Sequence, residues 1–247
     1  MARSFEDVRL VGPPSAGGEY VALGDHDIVH LHDYARIYAV PGLYEHVVQE
    51  QLRCRSPQVA AEGFLRAAVR LGLEASSMTV LDVGAGTGSV GELLARVGVK
   101  RVVGVDALPA ARTACMRDRP GVYTGYLIGD LASGDPELFA ALREHGPGGF
   151  VSAGAFGGTH APPAALVKAL TTLPRGAPVA LTIDERWMDA SDPGSFGVEV
   201  ERLVDQGDLE LLERARFRHR ITTVGEPIFY ELLVGTTGVE FAIARTR

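Results

Sequence analysis

The stretch Val80-Leu-Asp-Val-Gly-Ala-Gly-Thr-Gly88 places three alternating glycines between an apolar run and a helical pattern. Glycines there let the backbone turn tightly and approach a ligand, and the following helix adds free N–H donors. A ligand at such a turn lies across the carboxyl ends of parallel strands. Asp106 closes the next apolar run, 24 residues after Asp82. A carboxylate at that place hydrogen-bonds ribose hydroxyls, so loop and acid together point to an adenosine-containing cofactor. Gly86-Thr-Gly88-Ser-Val-Gly91 formally fits the dinucleotide fingerprint G-x-G-x-x-G. The fit begins two residues late, however, and the negative Asp82 offers a pyrophosphate nothing. Asp82 is expected instead to orient the loop or attract an ammonium group.

Other residues could carry a reaction. His160 follows the fourth apolar run of the core and can titrate near neutrality, which makes it the first candidate for a general base. Asp184, in Asp184-Glu-Arg-Trp187, follows the fifth run and could meet a substrate amine or act as a base, with Trp187 walling the pocket. Asp25-His-Asp-Ile-Val-His-Leu-His-Asp33 is rich in metal-ligand types but matches no defined metal motif. No metal is expected there; His30 or His32 is read as reaching a substrate from a polar lid. Of Tyr34, Tyr38 and Tyr44, Tyr38 is the one expected to face a ligand and the others the core. Arg214-Ala-Arg-Phe-Arg-His-Arg220 reads as a solvated edge strand protected by charge. Cys54 and Cys115 have no motif around them.

The elements that must hold these residues are legible from periodicity. Beyond Ser77, short apolar runs (79–83, 101–105, 123–128, 149–153, 178–183) alternate with helical segments (88–97, 108–118, 136–145, 162–173). Such alternation predicts an α/β fold with a buried parallel sheet. A further helix near 196–206 and two strand-like stretches, 209–220 and 228–237, predict an antiparallel ending at one sheet edge. Ahead of this core, Ser56-Pro57 reads as a helix N-cap with proline at N1, opening a helix to about Leu71 with Val59, Phe64, Leu65, Ala68 and Val69 inward. Residues 1–25, with Gly12-Pro-Pro-Ser-Ala-Gly-Gly18, read as a flexible arm. Residues 26–247 then form one domain: a helical lid over 26–76 and a core over 77–247.

Composition narrows the ligand. The chain has 247 residues and a formal charge of −7, which argues against nonspecific phosphate-backbone binding. Of its 24 basic residues only Lys100 and Lys168 are lysines. Two cysteines make a disulfide scaffold or Cys-built zinc site a poor fit. No apolar run is long enough to span a bilayer and the N-terminus has no signal segment, so a cytoplasmic protein is expected.

Asp82-Val-Gly-Ala-Gly-Thr-Gly88, Asp106 and Gly129-Asp-Leu131 resemble the cofactor motifs of class I S-adenosylmethionine-dependent methyltransferases. Phe150–Pro163 and Ala180–Trp187 are similar to the methyltransferases named after the Williams–Beuren syndrome region and their bacterial relatives. So are Tyr34, Tyr38 and the Arg55-Ser-Pro57 helix start. The usual Tyr-Asp of that segment is Tyr38-Ala39 here, so the acid's lid contact is missing or altered. The resemblance implies a three-layer Rossmann-like fold, a mostly parallel seven-stranded sheet with an antiparallel last strand, and S-adenosylmethionine as cofactor, leaving S-adenosylhomocysteine. It further implies that Gly84, Ala85, Gly86, Thr87 and Gly88 pass under the methionine part and Asp106 holds the ribose. Ala107 and Leu108 would flank the adenine, which Asp130 and the Leu131 N–H would bond. Ala153 would line the methionine end, and Tyr38 and Arg55 would close over its carboxylate.

The expected activity is methyl transfer to an oxygen or nitrogen of a small molecule. The aromatic clamp Asn/Asp-Pro-Pro-Tyr and the Pro-Cys nucleophile of nucleic-acid methylation are absent from the sequence. A cyclase or lyase using the sulfonium, or a protein that binds the cofactor without catalysis, remains an alternative. Oligomeric state has no sequence signal.

Overall fold

Three short strands open the computed structural model, which describes residues 5–12, 18–157 and 160–238. β1 (Val8–Val11), β2 (Tyr20–Leu23) and β3 (Asp27–His30) form an antiparallel sheet, the first two where an unstructured arm was expected over 1–25 and the third where the helical lid was expected to begin. The reason is local alternation that the Gly/Pro segment obscured: Val21 and Val29 point inward and are buried with Leu31. Residues 13–17 of that segment lie outside the described residues.

A helical stretch follows. α1 (Tyr34–Ala39) is capped by Asp33, whose carboxylate accepts from the Arg36 N–H. Pro41-Gly42 ends it, and a π-helical segment spans Glu45–Gln51. α2 (Ser56–Arg70) starts one residue earlier than the sequence suggested, with Arg55 at the N-cap. Ser56 does not cap it; its hydroxyl is hydrogen-bonded to His219 Nδ1 at 2.6 Å. The inward face of α2 is Ala60, Gly63, Phe64 and Ala67, a helical i, i+3, i+4, i+7 row, and Val69 lies on the solvent side, 78% exposed.

The core alternates as expected: β4 (Thr79–Val83), α3 (Ser89–Arg96), β5 (Arg101–Asp106), α4 (Pro109–Asp118), β6 (Gly125–Ile128), α5 (Pro136–Glu144), β7 (Gly149–Phe156), α6 (Pro163–Leu170), β8 (Pro178–Asp184), α7 (Phe196–Asp205), β9 (Leu209–Ile221) and β10 (Pro227–Thr237). The strands form one sheet in the order β6-β5-β4-β7-β8-β10-β9. β10 is inserted between β8 and β9 and runs antiparallel to both. Period-two burial sends Leu81, Val83, Val103 and Val105 to one hydrophobic layer with α5–α7, and Val80 and Val102 to the other with α2–α4. No helix among the described residues is long and apolar enough to cross a membrane.

The N-terminal stretch is tied to this core by charge as well as by apolar packing. Arg119, just past α4, donates to Glu45 Oε1 (2.6 Å), to Glu92 Oε2 (2.8 Å) and to the Thr87 carbonyl (3.1 Å). Arg117 donates to the carbonyls of Tyr38 and Ala39 at the end of α1. Arg119→Met will leave the partly buried Glu45 with no cation and only the Thr87 hydroxyl, and Glu92 with Arg96 alone, and should destabilise the fold by about 3 kcal/mol. A urea unfolding curve with unchanged slope and a lower midpoint is the expected result.

Candidate functional site

The strand order reverses between β5-β4 and β7-β8, and the crevice outside the carboxyl ends at that switch is where ligands of open α/β sheets bind. The glycine loop occupies it. Gly84, Gly86 and Gly88 all have positive φ (71°, 54° and 95°), a conformation that side-chain-bearing residues adopt at a cost. Asp106 ties the loop to β5: its Oδ2 accepts from the Gly86 N–H and its Oδ1 from the Leu108 N–H, both at 2.9 Å. Burial raises the pKa of this carboxyl, against those hydrogen bonds and the nearby His160. From below, Tyr126 donates its hydroxyl to the Gly86 carbonyl at 2.8 Å.

Asp82 lies behind the loop, fully buried, and receives the Tyr123 hydroxyl at 2.6 Å while its other oxygen has no partner among the described residues. Burial pushes its carboxyl up to about 7, the Tyr123 bond opposing and Asp106 adding to the rise. The folded chain therefore keeps a proton that the unfolded chain loses at its ordinary value of 3.8. Stability should fall as pH rises from about 4 to about 7 and level off beyond. Asp82→Asn should remove that part of the slope, as thermal unfolding across the pH range will show.

Above the loop is a cavity of about 470 Å³. Its floor is Gly84 and Asp106, one side carries Ala107, Leu108, Asp130 and Leu131, and Ala153–Ala155 close another. Its roof is aromatic. Tyr34 stacks on Tyr38 at 5.6 Å, Tyr44 meets Tyr38 edge-on at 5.3 Å, and His160 lies 5.7 Å from Tyr34. Burial pushes Tyr34 up to about 12 and the other two hydroxyls further, so all three are protonated. His160 is lowered by burial, with Asp106 opposing, and is neutral at pH 7.

The donor and acceptor set along the wall is specific. Among the described residues each Asp106 oxygen has one partner, which leaves a lone pair on each for a hydroxyl. Asp130 uses Oδ1 to accept from the Ala132 N–H at 2.8 Å. Its Oδ2 and the Leu131 N–H have no partner among the described residues, an acceptor beside a donor.

The remaining sequence candidates are placed as follows. Tyr38 lies over the loop, its hydroxyl 3.1 Å from where a Gly86 side chain would begin, so Gly86 is covered. Ala85 is buried against Gly104, Thr87 bonds Glu45 at 2.5 Å, and Gly88 faces Cys115 and Arg119. Those three residues shape the loop and form no part of the wall. Arg55 is exposed and away from the cavity, because its backbone N–H is spent on the His219 carbonyl at the start of α2. Asp184 caps the turn after β8 and is held by Arg186, outside the wall. His30 packs edge-on against Tyr20 and accepts from the His32 N–H, so His32 faces the cavity in its place. Trp187 packs over Gly157 and does not wall the cavity.

Three residues read as core or edge line cavities instead: Tyr34, Tyr44 and Arg220. The i, i+4 spacing of Tyr34 and Tyr38 was visible, but which face looked at the sheet was not, and Tyr44, six residues past Tyr38, carried no such signal. Arg214 and Arg216 do sit on the solvated edge, paired with Glu231 and Glu185. His219 and Arg220 are buried, because β9 runs on beneath the N-terminal sheet and pairs with the segment before α2. There a second, smaller cavity of about 60 Å³ adjoins the first.

No protein-family model matches the chain, and no curated protein is similar enough in sequence to match. Solved structures match in fold. Magnesium protoporphyrin IX methyltransferase from Synechocystis PCC 6803 with bound SAM is 13% identical, with a TM-score of 0.53 over 83% of this chain and 90% of that one. The same enzyme with bound SAH gives 14%, 0.51, and coverages of 77% and 87%. A SAM-dependent methyltransferase from Anabaena variabilis gives 15%, 0.50, and coverages of 71% and 83%. At these identities the likeness is one of architecture: the seven-stranded, mostly parallel sheet of Rossmann-like methyltransferases.

Proposed function

We propose that this chain is an S-adenosylmethionine-dependent methyltransferase acting on an oxygen or nitrogen of a small molecule. The observation that carries the reading is the wall of the large cavity, where Asp106, Asp130 and Leu131 offer unused bonding capacity in the order a ribose and an adenine require. Asp106 accepts from the ribose hydroxyls. Asp130 Oδ2 accepts from the adenine amino group, and the Leu131 N–H donates to the ring. Gly84 lets the methionine part pass close to the backbone. When bound, the cofactor supplies a sulfonium methyl group for in-line displacement.

The chain's own part is mainly to align and to exclude water. Tyr34, Tyr38 and Tyr44 present π-faces and protonated hydroxyls, a cage that suits a cation. His160, neutral and on the wall, is positioned to take a proton from an incoming hydroxyl or amine. Asp184 and His30, set away from the wall, have no part in this reading. The motif likeness to the Williams–Beuren-region methyltransferases and their bacterial relatives belongs to the same proposal.

The test is to incubate the protein with methyl-labelled S-adenosylmethionine and a small-molecule extract. Label in a low-molecular-mass product, with equimolar S-adenosylhomocysteine, is expected. Methylthioadenosine as the nucleoside product would replace methyl transfer by cyclase or lyase chemistry. No calorimetric binding of S-adenosylhomocysteine at millimolar concentration would overturn the reading.

A further inference from the structure

The second cavity lies between the large one and the C-terminal end of β9, and the two share His32, Tyr34, Tyr44, Ala153, Gly154 and His160. Its far wall is Arg220, a residue only 6% exposed. Arg220 is already fixed. Nη1 donates to Glu19 Oε1 (2.9 Å) and to the Ile221 carbonyl (2.9 Å), and Nη2 donates to Glu19 Oε2. Glu19 is fixed in turn by the Thr223 N–H at 2.9 Å. These contacts use the end of the guanidinium. Its side fork, Nε–H with the second Nη2–H, has no partner among the described residues. A buried guanidinium with an open fork, in the wall of a polar cavity, matches a carboxylate in both charge and spacing.

The rest of the lining fits the same occupant. His219 is stacked on Tyr230 at 3.8 Å and bonded to Ser56, which leaves it rigid and neutral. The Arg220–Glu19 pair is itself neutral, so an entering carboxylate meets no uncompensated negative charge. A volume of about 60 Å³ is room for one carboxylate group, since a water claims about 30 Å³ of liquid. Whatever the carboxylate is attached to must extend past Ala153 and Gly154 into the large cavity.

We infer that Arg220 anchors the methyl acceptor, and that the acceptor is a small carboxylic acid bearing its oxygen or nitrogen nucleophile a few bonds from the acid group. The carboxylate accepts two hydrogen bonds from the Arg220 side fork, and the nucleophile is left on the His160 and Tyr34 side. This rests on the large cavity being the S-adenosylmethionine site. The anchoring carboxylate is not the nucleophile, because an oxygen held in a guanidinium fork is a poor one.

The test uses calorimetry on the intact protein saturated with S-adenosylhomocysteine. Glycolate and salicylate are the acid probes, and glycolamide and salicylamide are their neutral counterparts. The acids are expected to bind at least tenfold more tightly than the amides. Arg220→Lys keeps the charge opposite Glu19 but removes the fork; it should erase that preference and leave S-adenosylhomocysteine affinity within about twofold. Equal binding of acids and amides to the wild-type protein would overturn the inference without requiring any variant. A tenfold loss of S-adenosylhomocysteine affinity in Arg220→Lys would also overturn it, reassigning Arg220 to the cofactor's own carboxylate. Failure of the wild-type protein to bind S-adenosylhomocysteine would instead bring down the cofactor reading on which the inference stands.

Discussion

Asp106→Ala will reduce S-adenosylhomocysteine affinity by a factor of 100 or more, measured by calorimetry. The substitution removes two things at once. It deletes the acceptors proposed for both ribose hydroxyls, and hydrogen bonds to a charged group contribute about 1.5–3 kcal/mol each. It also releases the Gly86 and Leu108 N–H groups that the carboxylate now holds at 2.9 Å. The loop would lose its tether to β5 just where the ligand is read. Asp106→Asn separates the two effects. The amide keeps one acceptor but points a donor at one of those N–H groups, so it should lose nearly as much affinity while keeping the size of the side chain. An affinity within threefold of wild type in both variants would remove Asp106 from the site.

Gly84→Ala will have the larger effect on the fold. The residue sits at φ 71°, and an added Cβ would overlap the Ala155 methyl on the extension of β7. A left-handed conformation costs a side-chain-bearing residue about 1–2 kcal/mol, and overpacking a tight contact adds about 1–3 kcal/mol. For a chain of this size each kcal/mol lowers Tm by about 2–4 °C, so a drop of roughly 5–15 °C is expected. Cofactor affinity should fall with it, because relief of the overlap must push either the loop floor or the Ala153–Ala155 wall into the cavity. Gly98→Ala is the control: its φ is also positive (93°), but nothing stands near its absent side chain. It should show the conformational cost alone and leave binding unchanged.

How much of this was legible depended on whether one strand or helix sufficed to specify a residue's surroundings. The glycine loop, Asp106 and the Asp130-Leu131 pair all sit at strand ends, and a strand end in a parallel sheet faces the crevice whatever the neighbours do. Sequence periodicity therefore placed the glycine loop and Asp106 directly, while Asp130 and Leu131 were singled out by the resemblance to methyltransferase motifs. Arg220 was misplaced for the opposite reason. A run of alternating arginines is solvated along most of β9, but its last two residues dip beneath the N-terminal sheet, a contact 201 positions away in sequence. Arg55 was misplaced through a neighbouring contact, since α2 begins by pairing its leading residue with His219, which leaves the Arg55 side chain exposed and away from the cavity. The small sheet itself was hidden because each of its strands is only four residues long, too short for alternation to stand out.

The arginines on either side of Asp118 bear on timing. Arg117 and Arg119 fasten the back of the roof to α4 through the Tyr38 and Ala39 carbonyls and through Glu45. Its front is held to the end of β9 by the Glu19–Arg220 pair. A roof pinned behind and latched in front opens from the latch, as a jaw does, and the acceptor's doorway is then the first gap to form. On the proposed reading the methyl donor lies beneath the tyrosines, farther from the latch than the acceptor's anchor, so its spent form should leave last. Where departure is the slow event, the ceiling on turnover is set by how often the jaw opens and not by the displacement itself.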